Sequence, residues 1–144
     1  TADFVLIDDY AHHPTEIDAV ADAVAELYPN KKVLLVFQPH LFSRTKDFVD
    51  DFARSLSRFD ALRLLDIYPA RELPIPGVTS DWLLEKVQLA DKKGVSKEAV
   101  IQEIATSDAS VVIMLGAGDI GVLASQVQQH FLSVKKQSIK KVQR

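Results

Sequence analysis

The chain has 144 residues, no cysteine and a formal net charge of −3. This length suits one domain with its own core, and the composition (47% hydrophobic, 26% charged) is that of a folded chain, not a disordered one. The absence of cysteine excludes a disulfide scaffold, a zinc–thiolate site and a thiol nucleophile.

The charge is unevenly distributed. Residues 133–144 carry Lys135, Lys136, Lys140, Lys141 and Arg144 and no acid, which leaves a net of −8 on residues 1–132. So acidic a body argues against nucleic-acid binding, which needs a basic face. Residues 1–132 therefore read as one domain and 133–144 as a basic, frayed tail. No stretch reaches the roughly 18 apolar residues of a membrane span. The chain opens on Thr1-Ala2-Asp3 and runs straight into an apolar segment, which reads as a piece cut from a longer protein.

In chain order, Phe4–Asp8 is a short apolar run expected as a buried strand. Ile17, Val20, Ala21, Val24 and Leu27 then fall on one face of a helix over Thr15–Tyr28, opened by Pro14. Val33–Phe37 is an unbroken apolar strand, of the kind covered on both faces of a parallel sheet. A loop over Gln38–Ser43 leads to a helix with the stripe Phe48, Val49, Phe52, Ala53 and Leu56. Ala61–Asp66 predicts a third strand, and the proline-rich Tyr68–Thr79 a long loop. A helix from Ser80 to about Ala90 and another capped by Ser96 follow, then the strand Val111–Leu115 and a helix over Asp119–Phe131. This alternation predicts an α/β fold: a Rossmann-like, open, mostly parallel sheet with helices on both faces.

Ligands of such sheets bind at the carboxyl ends of the strands, so the segments just after the strands are candidate sites. Asp8-Asp9-Tyr10-Ala11-His12-His13-Pro14-Thr15-Glu16 packs carboxylates, a phenol and two imidazoles into one strand-to-helix turn, a density that core packing does not need. Its carboxylates can accept from sugar hydroxyls, and its imidazoles can donate to phosphate or move protons. Adjacent histidines in a turn do not make a full metal-ligand set, so no metal is assigned. In Phe37-Gln38-Pro39-His40-Leu41-Phe42-Ser43-Arg44-Thr45, Arg44 near a helix N-terminus makes an anion site, to which free backbone N–H groups would add. Structurally, Arg44 could instead pair with Asp47. Gly116-Ala117-Gly118-Asp119-Ile120-Gly121 matches G-x-G-x-x-G. However, it follows the last strong strand, and no acid lies about twenty residues on, so tight packing is as good a reading as phosphate contact. Arg71 and Glu72 can pair with each other or face a ligand. The sequence has neither a G-x-x-x-x-G-K-[ST] phosphate loop nor a G-x-S-x-G elbow.

These segments resemble signatures of the Mur ligase family. Residues 8–17 resemble its D-D-Y-[GA]-H-H-P-T-E-[IV], and residues 37–45 its F-Q-P-H-x-x-[ST]-R-T. Asp66-Ile67-Tyr68 with Glu72, Pro74-Ile75 and Gly77 resembles its D-[IV]-Y…E…P-I-x-G, and residues 116–120 its G-A-G-D-I. The branch indicated joins L-alanine to UDP-N-acetylmuramate in peptidoglycan synthesis. The resemblance implies the third, Rossmann-like domain of a cytoplasmic, three-domain ligase that uses ATP and Mg2+ and works through an acyl phosphate. The missing N-terminal and central domains would hold the UDP-sugar and the ATP phosphate loop, and this domain alone would be inactive. By resemblance, Asp9 and His12 would lie at ATP, and His12, His13 and His40 near the reacting groups. His40, Arg44 and Tyr10 would hold the substrate. Many members have Arg where Leu41 stands, so Arg44 or His40 would carry more of the carboxylate grip here. A sister branch that attaches recycled peptides reads F-E-P-R, so Gln38 and His40 favour the alanine-adding branch. A non-catalytic dinucleotide-binding module built on Gly116–Gly121 is the alternative of another class.

Overall fold

The structure, a computed structural model, describes residues 4–135 and 139–143, with 134–135 and 139–143 as backbone only. Its elements are β1 (Phe4–Asp9), α1 (Pro14–Leu27), β2 (Val33–Phe37), α2 (Phe42–Asp47), α3 (Val49–Leu56) and β3 (Ala61–Leu64). They continue with α4 (Ser80–Lys86), β4 (Asp91–Gly94), α5 (Val100–Ala105), β5 (Val111–Leu115), α6 (Ile120–Lys135) and β6 (Ile139–Gln143). One sheet runs β4-β3-β2-β5-β1-β6, with every pair parallel.

Apolar residues alternate across the sheet and fill two cores, as period-2 side chains must when both faces are covered. Ile7, Leu35, Phe37, Ile113 and Leu115 meet α1, α3 and α4 through Ile17, Phe52 and Leu83. Leu6, Leu34, Val36, Val112 and Met114 meet α5 and α6 through Ile104, Ala124 and Phe131. The expected open parallel α/β sheet is therefore the observed fold.

Four features depart from expectation. Leu27, the last member of the α1 stripe, is 63% exposed, because the helix ends there at the rim. The helix expected after Gln38–Ser43 is two, broken at Phe48 (φ −119). The segment expected as the end of a helix near Ala90 gives way to β4, whose sequence Asp-Lys-Lys-Gly hides a strand; charge on an edge strand protects it from further pairing. The tail expected to fray does not separate at residue 133: α6 runs to Lys135, and Ile139–Gln143 pairs with β1 as an edge strand. Thr1–Asp3, Lys136 and Arg144 lie outside the described residues. Among the described residues, no helix is long and apolar enough to cross a membrane.

Arg63 is 9% exposed in β3. It donates to Glu103 of α5 (2.7 Å), reaches Asp91 of β4 (2.8 Å) and donates to the Leu62 carbonyl (2.9 Å), while Lys93 holds the second Glu103 oxygen (2.8 Å). Removing one partner from such a buried set leaves a charge uncompensated. The hydrogen bond from Lys93, joined by that from Arg63, outweighs burial and holds the Glu103 carboxyl below its ordinary value of 4.5. A depressed carboxyl gives stability that is present above its unfolded pKa and lost as pH falls through the folded one. Glu103→Gln is therefore expected to lower the urea midpoint at pH 7 and to flatten its decline below pH 4.5. Parallel pH curves for the two proteins would contradict this.

Candidate functional site

The register sets the site. Asp9 and Phe37 both lie opposite Leu115, so β1, β2 and β5 end at one level. The ladder continues one step further, from Gly116 N–H to the Asp9 carbonyl (3.2 Å) and from Gln38 N–H to the Leu115 carbonyl (3.1 Å). The helices after β1 and β2 pack on one face and α6 on the other, so the connections diverge here and leave a crevice.

After β1, Asp9 Oδ1 accepts from Ala11 N–H (3.0 Å), an Asx turn that buries Ala11 and leaves Tyr10 70% exposed. Glu16 Oε1 reaches back to the N–H groups of His12 (3.0 Å) and His13 (3.1 Å) at the start of α1. The first of these hydrogen bonds is the main reason its carboxyl lies below the ordinary value. His12 Nδ1 is 3.0 Å from the Tyr10 carbonyl. A carbonyl only accepts, so Nδ1 carries a proton, and in the uncharged ring Nε2 is the acceptor. His13 turns elsewhere: its ring lies 4.9 Å from Phe48, and Nδ1 is 3.3 Å from Thr15 Oγ1.

After β2, Arg44 Nη1 is 3.1 Å from His40 Nδ1. A guanidinium only donates, so Nδ1 accepts and Nε2 of His40 carries the proton. Burial first, then the charges of Arg44 and His12, lower the His40 pKa from 6.5 against an opposing pull from Glu72, so this ring is neutral at pH 7. The His40 ring lies 5.9 Å from that of His12, at 69°, and stacks on Tyr68 at 5.6 Å and 13°. Tyr68 N–H donates to the Pro39 carbonyl, and Leu41 N–H to the Tyr68 carbonyl, both at 2.8 Å. These bonds hold Leu41 at φ +76, a left-handed conformation unusual for leucine.

The helix-start N–H groups expected to be free for an anion are not. Glu72 Oε1 accepts from Ser43 N–H (3.0 Å), and Oε2 accepts from the Ser43 hydroxyl. The hydroxyl bond chiefly, then the backbone ones from Ser43 and Phe42, keep the Glu72 carboxyl below its ordinary value. Glu72 thus pairs with Ser43 instead of Arg71, and Arg44 lies against His40 instead of Asp47.

After β5 the glycines serve packing. A Cβ on Gly118 would sit 2.6 Å from both Gln38 Oε1 and Tyr68 Cγ, and one on Gly116 (φ +153) 2.8 Å from Ile120 Cγ2. The Gln38 side chain, 2% exposed, donates to Asp119 Oδ1 (2.8 Å) and accepts from Ile120 N–H (3.2 Å). Lys97 holds the other Asp119 oxygen. A cleft of about 410 Å³ lies beside Tyr68, lined by Gln38, Asp66, Lys97 and Asp119, and is not lined by His12, His40 or Arg44.

The structure therefore gathers His12, His40 and Arg44. It leaves Asp9 in the turn and Tyr10 on the rim, and it turns His13 into α1 packing. Sequence reasoning gave no role to Tyr68, Lys97 or the Gln38 side chain, and left Glu72 between pairing with Arg71 and facing a ligand. Tyr68 and Lys97 also follow strands, and the same strand-end rule points to both once β4 is recognised. Among the described residues, no three His, Asp or Glu side chains are grouped to hold a metal ion. The donor set around His40, a guanidinium and imidazole N–H groups, suits an anion and not Mg2+.

This fold and site define a doubly wound α/β domain that presents a guanidinium and two imidazoles at its strand ends. Residues 1–127 match the family described as Mur ligase, glutamate ligase domain, and the chain belongs to that family. It is similar to the UDP-N-acetylmuramate–L-alanine ligase of Flavobacterium psychrophilum, 64% identical over 88% of this chain and 28% of that protein. In structure it resembles the UDP-N-acetylmuramate–alanine ligase of Thermotoga maritima, with a TM-score of 0.72 and 24% identity over 91% of this chain and 27% of that one. It also resembles the murein peptide ligase of Psychrobacter arcticus, with a TM-score of 0.67 and 17% identity over 90% of this chain and 28% of that one. These two likenesses show the shared fold. The chain thus spans about 28% of the length of the curated relatives it matches.

The packing role of Gly118 has a direct test. Gly118→Ala should cost about 1–3 kcal/mol of stability by overpacking, read by urea denaturation of this chain. A variant as stable as the parent would show that Gln38 and Tyr68 yield easily.

Proposed function

We propose that this chain is the C-terminal domain of an ATP-dependent ligase that joins L-alanine to the lactyl carboxylate of UDP-N-acetylmuramate. The observation that carries the reading is the Arg44–His40 pair at the crevice, beside His12. Two further points favour the alanine-adding branch over the peptide-recycling one: the F-Q-P-H of residues 37–40 and the 64% identity to a ligase of that name. The glycine turn, filled by Gln38 and Tyr68, speaks against the dinucleotide-binding alternative.

In this reading Arg44 grips the amino-acid carboxylate through the N–H groups not given to His40. The Nε2–H of His40 donates beside it, to the same carboxylate or to charge growing on the reacting oxygens. His12 Nε2 takes the proton that the ammonium must lose before it attacks the acyl phosphate. In this reading His13, whose ring lies against Phe48, holds the start of α1, and His12 is the reactive histidine of the pair; the different directions of the two rings support it. Asp9 accepts from the ATP ribose, His12 also faces the phosphates, and Tyr10 on the rim meets the substrate. The UDP-sugar falls to the N-terminal domain of the same enzyme, and the ATP phosphates with Mg2+, which neutralises their charge when bound, fall mainly to the central one. ATP and a UDP-sugar as substrates place that enzyme in the cytoplasm.

In the full ligase, Arg44→Ala should raise the L-alanine KM about 10- to 100-fold, the loss of a charge-assisted hydrogen bond, with the ATP KM within about twofold. An unchanged alanine KM would refute the grip. The alanine KM should also stay level as pH falls through 6.5 and rise only further down, where His40 gains a proton and its Nδ1 no longer accepts from Arg44. A rise centred at or above 6.5 in steady-state kinetics would contradict the neutral, buried ring.

A further inference from the structure

We infer that Glu72 is a positioning residue for the amino-acid grip: it holds the first turn of α2, and through that turn Arg44, in the geometry that binds the carboxylate. The inference rests on the alanine-ligase reading above and concerns a residue to which that reading gives no task. It begins with a deficit. Helix α2 has six residues, and its N-cap is Leu41, whose side chain cannot accept a hydrogen bond. The N–H groups of the first turn need an acceptor, and a carboxylate brought in from 29 residues away supplies it to Ser43 N–H (3.0 Å) and to the Ser43 hydroxyl. Arg44 is the next residue in that turn, so whatever fixes Ser43 fixes the root of the guanidinium.

The same loop grips the preceding turn from the other side. Tyr68 exchanges two 2.8 Å backbone hydrogen bonds with Pro39 and Leu41 and stacks on His40. The loop over 68–72 thus brackets residues 39–43 at both ends, which is what keeps Leu41 at φ +76. Thr45 closes the turn from within, donating from Oγ1 to the Leu41 carbonyl (2.8 Å). Glu72 feels the charge of Arg44 and pulls the His40 pKa upward, yet its hydrogen bonds go to the start of α2. It therefore acts through Ser43 and its helix.

The rival role for a carboxylate at this place is direct contact with the substrate ammonium, and the two roles differ in what a glutamine can replace. An amide oxygen still accepts from Ser43 N–H, whereas it cannot pair with an ammonium as an ion. In the full ligase, Glu72→Ala should raise the L-alanine KM about tenfold, with kcat and the ATP KM within about twofold. Glu72→Gln should recover most of that loss. Ser43→Ala should raise the KM less, and adding it to Glu72→Ala should change nothing further. Three results would each overturn the inference: Glu72→Gln as poor as Glu72→Ala, multiplicative effects of Ser43→Ala and Glu72→Ala, or a lowered Tm with an unchanged alanine KM. Arg44→Ala separates the layers. If it raises the alanine KM while Glu72→Ala does not, only the positioning role fails; if it leaves that KM unchanged, the grip itself fails.

Discussion

The insertion of β5 between β1 and β2 is the constraint on which the rest of this structure depends. It brings two strands that are consecutive in the chain to either side of a third, with all three ends level. The chain leaves the central strand toward one face and the outer two toward the other. Side chains that are distant in sequence must therefore meet at one crevice. The turn after β5 is the floor of that crevice, and it has to be thin. Gly116 and Gly118 make it so, and the space they vacate is taken by Gln38 and Tyr68. What looks like a phosphate fingerprint is here the condition for packing β2 and β3 connections against α6.

The electrostatics of the crevice follow from the same packing. A guanidinium facing a partly buried imidazole across 3.1 Å is stable only if the ring stays uncharged, and burial favours that state. Glu72 opposes the shift from the far side of the turn, so Arg44 sits between a neutral ring and a nearby carboxylate that does not bond to it. An arginine committed to a full ion pair would offer little to a ligand. One held by a neutral acceptor keeps its charge available.

The apolar core was readable from local pattern, and the reason is physical. Strands buried on both faces must be continuous apolar runs, and Val33–Phe37 and Val111–Leu115 appear at their observed bounds. The stripe of α6 is likewise intact: Ile120, Leu123, Ala124, Val127 and Phe131 are all buried. Edge strands obey the opposite rule, since charge there prevents further pairing. Asp91–Gly94 thus carried no apolar signal, and Ile139–Gln143 was submerged in a basic tail. The candidate site divides the same way. Its segments could be located because they follow strands and concentrate titratable groups. The directions of adjacent side chains could not, so His12 and His13 looked equivalent until the Tyr10 carbonyl and the Phe48 ring separated them. Contacts such as Glu72 with Ser43 and Gln38 with Asp119 cross 29 and 81 residues, and no periodicity encodes them.

Leu41 shows how these layers meet. Left-handed backbone at a non-glycine residue costs about 1 kcal/mol or more and persists only where its surroundings leave no alternative. Here they leave none: the Leu41 N–H is bound by Tyr68, its carbonyl takes Thr45, and the helix it opens is capped by Glu72. A relaxed turn would let His40 and Arg44 separate, because each lies on one side of this residue. The strain is thus the local cost of keeping two side chains four positions apart in contact at a helix start, where ordinary capping by the preceding residue would serve the helix but not the pair. Stability for that geometry comes from the β3 connection, a proline-rich element whose own sequence, without helix or strand periodicity, gives no hint that it braces anything.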